Sequence, residues 1–474
     1  MTALTTRSGL LQRTLRNLRA GWQSIAGDGY DAVAASTRPD LPEEDAEKLR
    51  SQMRDCLENR GGEVSARAKA AALGQVYLAL DATGRQRFLE VMANDFDTDP
   101  NTVDSAIDRV RGAKDAATRQ NAEAALRDAL EAPRMRLLRQ FNDLPDGVKF
   151  LVDMRAELLD LARADPALKG LEQDLKHILT SWFDIGFLEL RRIAWEAAPA
   201  ALLERLIAYE AVHAIEGWDD LKNRLDSDRR CFAYFHPRMP DEPLIFVEVA
   251  LVNGIVGNVR SLLDEAAPAE DPGSADTAIF YSISNTQKGL GGISFGNFLI
   301  KRVAATLSQE FRNLKTFATL SPIPGFRKWL DAEIGAGATG LVLSGERTAL
   351  KDAAGTSGKG ALKALLAEAD WWQDPAKSAA LEVPLRRLAA RYLVEAKGRN
   401  DRARDPVAHF HLSNGATVER LNWLGDTSEN GLRQSAGMMV NYLYALDHIE
   451  DNHEAYTSEG RVAVSSTLRG LLKS

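Results

Sequence analysis

A serine in a stiff segment is the first candidate for chemistry. Ser321 opens the run Ser321-Pro-Ile-Pro-Gly325, in which two prolines fix the backbone φ angle and remove two hydrogen-bond donors. A hydroxyl held in this way could stabilise negative charge that develops during a reaction, because a preorganised donor needs little reorganisation. A rigid loop that only turns the chain is the alternative.

Two histidines lie two residues apart further along the chain. His409-Phe410-His411 is followed by Asn414-Gly415, a pair typical of a β-hairpin turn. The pattern predicts a hairpin with both imidazoles on one face of its first strand. No Cys, Asp or Glu at suitable spacing completes a metal site, so acid or base chemistry by one histidine fits better. A structural histidine is the alternative.

A glycine-rich segment joins a predicted strand, residues 278–284, to a predicted amphipathic helix that carries Leu299, Val303 and Leu307. Glycines let backbone N–H groups approach an anion at a helix start, which favours a phosphate or pyrophosphate. The magnesium-nucleotide pattern fails because no Gly-Lys-Ser/Thr follows, and the spacing of a dinucleotide fold places an acid inside the helix. A simple strand-to-helix turn is the alternative. The candidate binding residues are Gln287, Lys288, Gly289, Leu290, Gly291, Gly292, Ile293, Ser294 and Gly296.

The elements that must position these residues fall into two parts. Residues 1–185 carry apolar residues at helical spacing almost throughout, which predicts an all-helical domain. Residues 186–474 mix predicted strands with helices and are expected to close with the hairpin and a last helix. The strands are expected at 231–236, 244–252, 278–284 and 314–320. The sequence therefore predicts an α+β protein with a helical domain over 1–185 and a mixed α/β domain over 186–474.

Composition excludes several classes of function. The formal net charge of −8 over 474 residues argues against a nucleic-acid binder. Two distant cysteines, Cys56 and Cys231, argue against a zinc site or a disulfide framework and fit a reducing compartment. The sequence contains no stretch of about 20 uninterrupted apolar residues, so no membrane-spanning helix is predicted. Residues 1–27 contain arginines and no acid, so a mitochondrial transit peptide is the alternative to the expected cytoplasmic location.

Several motifs in order resemble the malonyl-CoA decarboxylase family over residues 205–445. The run from Ile279 to Leu290 and Gly296-Asn-Phe-Leu-Ile-Lys-Arg302 resemble that family's coenzyme A loop and helix. Leu320-Ser-Pro-Ile-Pro-Gly-Phe326 is similar to its serine motif, and Phe410-His-Leu-Ser-Asn-Gly-Ala416 is similar to its histidine motif. The run Gln287-Lys-Gly-Leu-Gly-Gly292 also resembles the Gln-x-x-Gly-x-Gly pyrophosphate loop of the GNAT acyl-CoA superfamily, although its first glycine comes one residue early.

The resemblance assigns roles that local patterns leave open. It implies that Ser321, His411 rather than His409, and Tyr444 are the catalytic residues, although Tyr444 locally reads as a core or surface residue. It also implies a GNAT-like second domain, a homo-oligomer (a tetramer built as a dimer of dimers) and no cofactor other than the coenzyme A of the substrate. Ser294 departs from the pattern, because some relatives carry an acid there.

The expected reaction converts malonyl-CoA to acetyl-CoA and CO2 through a thioester enolate. Ser321 is expected to donate a hydrogen bond to the acyl group. His411 is expected to deliver the proton, because a histidine has a near-neutral pKa. Tyr444 is expected to orient the malonyl carboxylate. An acyltransferase that uses the same coenzyme A loop, or an acyl-CoA-binding regulator without activity, are the alternatives.

Overall fold

The computed structural model describes residues 18–19, 21–26, 37–58, 62–293 and 299–473. Most of the arginine-containing N-terminus, together with Ser294 and Gly296, lies outside these described residues. The chain forms two compact units. The first unit comprises Met1–Glu189, Phe235–Leu244 and Asn285–Phe295, and the second comprises Leu190–Tyr234, Ile245–Ser284 and Gly296–Ser474. A domain boundary at residues 185/186 stays a prediction.

The first unit is helical along residues 43–182, as predicted. Several helices begin at an aspartate whose side chain accepts from free backbone N–H groups, as Asp81 does from Gly84 and Asp99 from Asn101 and Thr102. The helices are α1 Glu43–Leu57, α2 Gly62–Ala79, α3 Ala82–Asp95, α4 Pro100–Gly112, α5 Ala116–Leu130, α6 Pro133–Asn142, α7 Gly147–Ala164 and α8 Lys169–Trp182.

Aromatic rings fill the centre of this unit. Phe150 on α7 packs edge-on against Trp22 and Tyr77, with ring centroids 4.8 and 5.5 Å apart, and is tilted against Phe141 at 5.1 Å. All four rings are buried. These contacts fix α7, the helix that also meets the glycine-rich segment.

An eight-stranded mixed sheet has the order β1-β2-β3-β4-β5-β8-β6, with β7 paired to β8. Its strands are β1 Glu189–Ile193, β2 Arg229–His236, β3 Met239–Val252, β4 Thr277–Asn285, β5 Thr316–Thr319, β6 Ser321–Pro322, β7 Thr417–Asn422 and β8 Met439–Leu443. β4 and β5 are parallel, whereas β8 is antiparallel to β5, β6 and β7. β8 therefore brings chain segments more than a hundred residues apart to one place.

In the described part of the second unit, the further helices are α9 Ala200–Tyr209, α10 Trp218–Arg224, α11 Arg260–Leu263, α12 Leu299–Glu310, α13 Phe326–Ala336, α14 Arg347–Ala354, α15 Lys359–Ala367, α16 Pro375–Val394, α17 Pro406–Ser413, α18 Glu429–Ser435, α19 Ile449–Glu459 and α20 Ser466–Lys473. The prediction of a strand at 278–284 and of a helix carrying Leu299, Val303 and Leu307 is confirmed by β4 and α12. The α+β class is confirmed. Among the described residues, no helix is long and apolar enough to cross a membrane.

The predicted hairpin at His409–His411 is wrong, because these residues lie in helix α17. Asp405 starts the helix by accepting from Val407 and Ala408, and Pro406 occupies its first position. Asn414-Gly415 ends the helix, with Gly415 at φ 79° in the left-handed region. An Asn-Gly pair serves helix ends as well as hairpin turns, so the local signal was ambiguous.

Candidate active site

The second unit brings three predicted residues into one hydrogen-bonded row. Ser321 lies on β6, opposite Val440 of β8, and its hydroxyl is 3.1 Å from Nε2 of His411 on α17. The other ring nitrogen, Nδ1, is 2.8 Å from the hydroxyl of Tyr444, which follows β8. Ser321, His411 and Tyr444 come from three separate elements, so this row is a product of the tertiary fold.

Thr319 and Tyr442 complete the surroundings of the row. The Ser321 hydroxyl donates to Thr319 Oγ1 at 2.8 Å, and that oxygen also accepts from the Tyr442 backbone N–H at 3.1 Å. The Tyr442 ring stacks on the His411 imidazole, with centroids 4.4 Å apart and planes 25° apart. Sequence reasoning missed Thr319 and left Tyr442 unassigned. The available signal was their spacing, since Thr319 lies two residues before Ser321 and Tyr442 lies two residues before Tyr444.

His411 is neutral at physiological pH. Its side chain is only 2% exposed, and burial lowers its pKa from 6.5 to about 3. The predicted near-neutral pKa is therefore wrong, because it assumed a solvated ring. Burial also raises the pKa of the Tyr444 hydroxyl well above its usual value, so that group is protonated.

The proton positions follow from the neutral ring and the direction of the serine bond. Because the Ser321 hydroxyl has a single proton and donates it to Thr319, Nε2 must carry the ring proton and donate to Ser321. Nδ1 then accepts from the Tyr444 hydroxyl. This arrangement aims a chain of donors from Tyr444 through His411 to Ser321, which suits the stabilisation of an anionic oxygen.

His409 lies apart from this row. Its Nδ1 is 2.8 Å from the hydroxyl of Tyr456, which also accepts from the Ala403 backbone N–H at 3.0 Å. Residues two apart on a helix point to different sides, unlike residues two apart on a strand. His409 therefore ties α17 to α19, and His411 alone reaches Ser321.

The glycine-rich segment belongs to the first unit, where protein contacts account for part of its sequence. The buried Gln287 amide donates to the Pro243 carbonyl at 3.1 Å, and Arg155 of α7 donates to the Gly289 carbonyl. A Cβ at Gly289 would lie 1.8 Å from the Val152 carbonyl oxygen, so glycine is required there by packing. Lys288 differs, because its ammonium group is exposed and pairs with Asp160 at 2.5 Å.

Groups of three or more His, Cys, Asp or Glu arranged to hold a metal ion do not occur within the part of the chain that the structure describes. Cys56 and Cys231 are both free and buried.

Comparison with known proteins decides the family. A family profile described as "Malonyl-CoA decarboxylase C-terminal domain" matches residues 186–474, and one described as "Malonyl-CoA decarboxylase N-terminal domain" matches residues 96–183. The chain belongs to the malonyl-CoA decarboxylase family. The mitochondrial malonyl-CoA decarboxylase of Anser anser anser is 37% identical over 416 residues, which are 84% of this chain and 82% of that protein. The Rattus norvegicus protein is 38% identical over 371 residues, 76% of this chain and 75% of its own.

Solved malonyl-CoA decarboxylases share this fold. The crystal structure from Rhodopseudomonas palustris is 44% identical, with a TM-score of 0.82 over 90% of this chain and 99% of that one. The structure from Agrobacterium vitis is 42% identical, with a TM-score of 0.81 and the same coverage. Membership of the malonyl-CoA decarboxylase family agrees with the predicted resemblance, whereas the GNAT-like character of the second domain stays a prediction.

Proposed function

We propose that this chain is a carboxy-lyase that converts malonyl-CoA to acetyl-CoA and CO2, with Ser321, His411 and Tyr444 as its catalytic residues. Family membership supports the reaction. The single observation that supports these residues is the buried hydrogen-bonded row that links Tyr444 to His411 at 2.8 Å and His411 to Ser321 at 3.1 Å.

The reaction breaks the bond between the α-carbon and the carboxylate carbon of the malonyl group. The electron pair moves into the thioester and forms an enolate as CO2 leaves, so the thioester itself is the electron sink. The steps proposed here therefore use no metal or organic cofactor. They require a hydrogen-bond donor at the enolate oxygen and a proton for the α-carbon.

Ser321 supplies the donor to the thioester oxygen. When substrate binds, its hydroxyl proton turns from Thr319 Oγ1 toward the acyl oxygen, while His411 continues to donate to the serine oxygen. A donor that itself accepts a hydrogen bond is strengthened, and a buried site increases the effect because its dielectric constant is low. In this role Ser321 is an electrostatic stabiliser and forms no covalent intermediate.

His411 supplies the proton from its neutral ring. A thioester enolate is a stronger base than an imidazolate, so the Nε2 proton can move to the α-carbon, directly or through the serine hydroxyl or water. Nδ1 takes the Tyr444 proton as this happens. A proton from solvent then returns to Nε2 and Nδ1 gives its proton back to the tyrosine oxygen, so each turnover consumes one solvent proton and restores both groups. Tyr444 also holds the imidazole ring in place. Its hydrogen bond to Nδ1 supports this role for Tyr444, rather than the predicted role in orienting the malonyl carboxylate.

The segment Gln287–Gly296 is proposed to bind coenzyme A, with the exposed Lys288 as the group available to a phosphate. We also propose a homo-oligomer, a tetramer arranged as a dimer of dimers, and a cytoplasmic location. Light scattering on the purified chain would measure its mass against 52.0 kDa for one subunit.

The test of function incubates the purified chain with malonyl-CoA alone and follows acetyl-CoA by chromatography and CO2 by a coupled assay. Decarboxylation predicts equal amounts of both products without any acceptor. Turnover only after an amine is added would identify an acyltransferase. Tight binding of malonyl-CoA without product would identify a regulator, and either result would overturn the proposal.

A further inference from the structure

A buried aspartate touches both segments that carry the proposed catalytic pair. Asp405 is 0% exposed. One oxygen, Oδ1, accepts from the backbone N–H groups of Val407 and Ala408, each at 3.0 Å, and so starts helix α17. The other oxygen, Oδ2, accepts from the Gly325 N–H at 3.3 Å, at the end of the serine segment 321–325.

A tyrosine of a third element closes this junction. Tyr392, on α16, lies beside the Asp405 carboxylate, and burial followed by the charge of that carboxylate raises the pKa of the Tyr392 hydroxyl. Its ring packs against Phe326 and Trp329 at the start of α13, with centroids 6.0 and 5.3 Å away. The space is tight, because a Cβ added at Gly325 would lie 2.1 Å from the Tyr392 hydroxyl.

We infer that Asp405 is a positioning residue for this reaction, which sets the distance between Ser321 and His411 by joining the serine segment to the start of the histidine helix. The inference rests on the proposed function. Ser321 lies four residues before Gly325, and His411 lies six residues after Asp405, so both ends of the 3.1 Å hydrogen bond are anchored at one carboxylate. Displacements of about 1 Å between catalytic groups can lower turnover about a hundredfold.

Helix capping alone does not account for an aspartate here. Serine and asparagine cap helices about as well as aspartate. Neither reproduces both contacts, because a serine hydroxyl is too short to reach Gly325 and an asparagine has a single acceptor oxygen, so its N–H₂ group must face either the helix start or the Gly325 N–H. Substitution with either residue therefore separates the cap from the bridge between the two segments.

The chain offers a matched control in Asp374-Pro375. Asp374 starts α16 by accepting from the N–H groups of Ala376 and Lys377, before a proline at the first helical position, as Asp405 does before Pro406. Within the described residues, its carboxylate hydrogen-bonds only the start of its own helix. Asp374→Ser therefore makes the same change to a helix cap as Asp405→Ser, at a position where no second segment is joined.

The experiment measures kcat and KM for malonyl-CoA, together with the thermal midpoint, for the full-length wild type and for Asp405→Ser, Asp405→Asn and Asp374→Ser. A positioning role predicts that both Asp405 variants lose about 10- to 100-fold in kcat with KM within about twofold, while Asp374→Ser keeps both constants. If a variant of Asp405 fails to fold, Tyr392→Phe, which removes one contact to the carboxylate and leaves the cap intact, is expected to lower kcat without raising KM.

Asp405 variants that fold and match Asp374→Ser in kcat would overturn the inference, as would a rise in KM without a fall in kcat. An inactive wild type would instead count against the proposed function, so the two failures are distinguishable.

Discussion

At the scale of the residue, the protonation of His411 distinguishes this site from a simple acid and base pair. A solvated histidine would be partly charged near neutral pH, whereas burial here lowers the pKa to about 3. The neutral ring can donate from Nε2 while accepting at Nδ1, which a charged ring cannot do. The row of donors that points at Ser321 therefore depends on burial of the imidazole.

A neutral His411 has a measurable consequence for stability. Below pH 6.5 the unfolded chain binds a proton at this histidine and the folded chain does not. The free energy of unfolding therefore falls by about 1.4 kcal/mol for each pH unit between pH 6.5 and about 3. Above pH 6.5 this loss of stability is absent. We expect His411→Asn to lack this dependence, so its free energy of unfolding should gain on that of the wild type between pH 6.5 and 5. Urea unfolding at several pH values measures the difference.

Imidazole NMR of the 15N-histidine-labelled chain is the direct check on the same point. The His411 signals, identified among seven histidines by their loss in His411→Asn, should show a neutral ring protonated at Nε2 down to pH 5. Titration of this ring near pH 6.5 would contradict the proposed donor row.

At the scale of the element, the serine segment depends on close packing against α16. Gly325 has φ −98°, which any residue can adopt, so its restriction comes from space and not from backbone conformation. A methyl group there would lie 2.1 Å from the Tyr392 hydroxyl and 3.2 Å from Cζ of the same ring. Removal of that hydroxyl should therefore relieve most of the clash.

A double-mutant cycle tests this packing. Gly325→Ala is expected to lower the free energy of unfolding by about 1–3 kcal/mol, the usual cost of overpacking. Gly325→Ala combined with Tyr392→Phe should recover at least half of this loss, so the two effects should not add. Additivity within about 0.5 kcal/mol, measured by urea unfolding, would show that the hydroxyl is not the obstacle.

The short turn Lys288–Leu290 is the element proposed to meet coenzyme A. If Lys288 contacts a phosphate, Lys288→Ala should raise KM for malonyl-CoA about tenfold, because a charged hydrogen bond contributes about 1.5 kcal/mol or more. The kcat should change little, since the contact is equal in ground and transition states. Asp160→Asn is the control, because it removes the present partner of Lys288 and keeps the lysine. An unchanged KM in Lys288→Ala would remove this residue from the binding segment.

At the scale of the whole molecule, sequence patterns predicted the parts that local periodicity determines. The helical first unit, strand β4 and helix α12 all show their periods directly in the chain. Ser321, His411 and Tyr444 were found through motifs that resemble a family. Their contact was beyond local reasoning, because it depends on the pairing of β8 with β5 and β6 across more than a hundred residues.

Much of what the sequence left unresolved is tertiary in origin, but the error at His411 is local. The Asn-Gly pair after His411 fitted a hairpin, whereas Asp405-Pro406 before it is a helix-start signal present in the sequence, and the structure follows that signal. The pKa of His411 follows from burial, which no local pattern states. Thr319 became part of the site because its hydroxyl meets both Ser321 and the Tyr442 backbone.

The most direct test of the account compares turnover at saturating malonyl-CoA in four proteins, the wild type, Ser321→Ala, His411→Asn and His409→Asn. Loss of one preorganised donor typically costs about 2.7–4 kcal/mol, so Ser321→Ala and His411→Asn should each lose at least about a hundredfold in kcat and still bind substrate. His409→Asn, two residues away on the same helix, should retain nearly full activity. Near-normal turnover in Ser321→Ala and His411→Asn would contradict the assignment of the reaction to this row of residues.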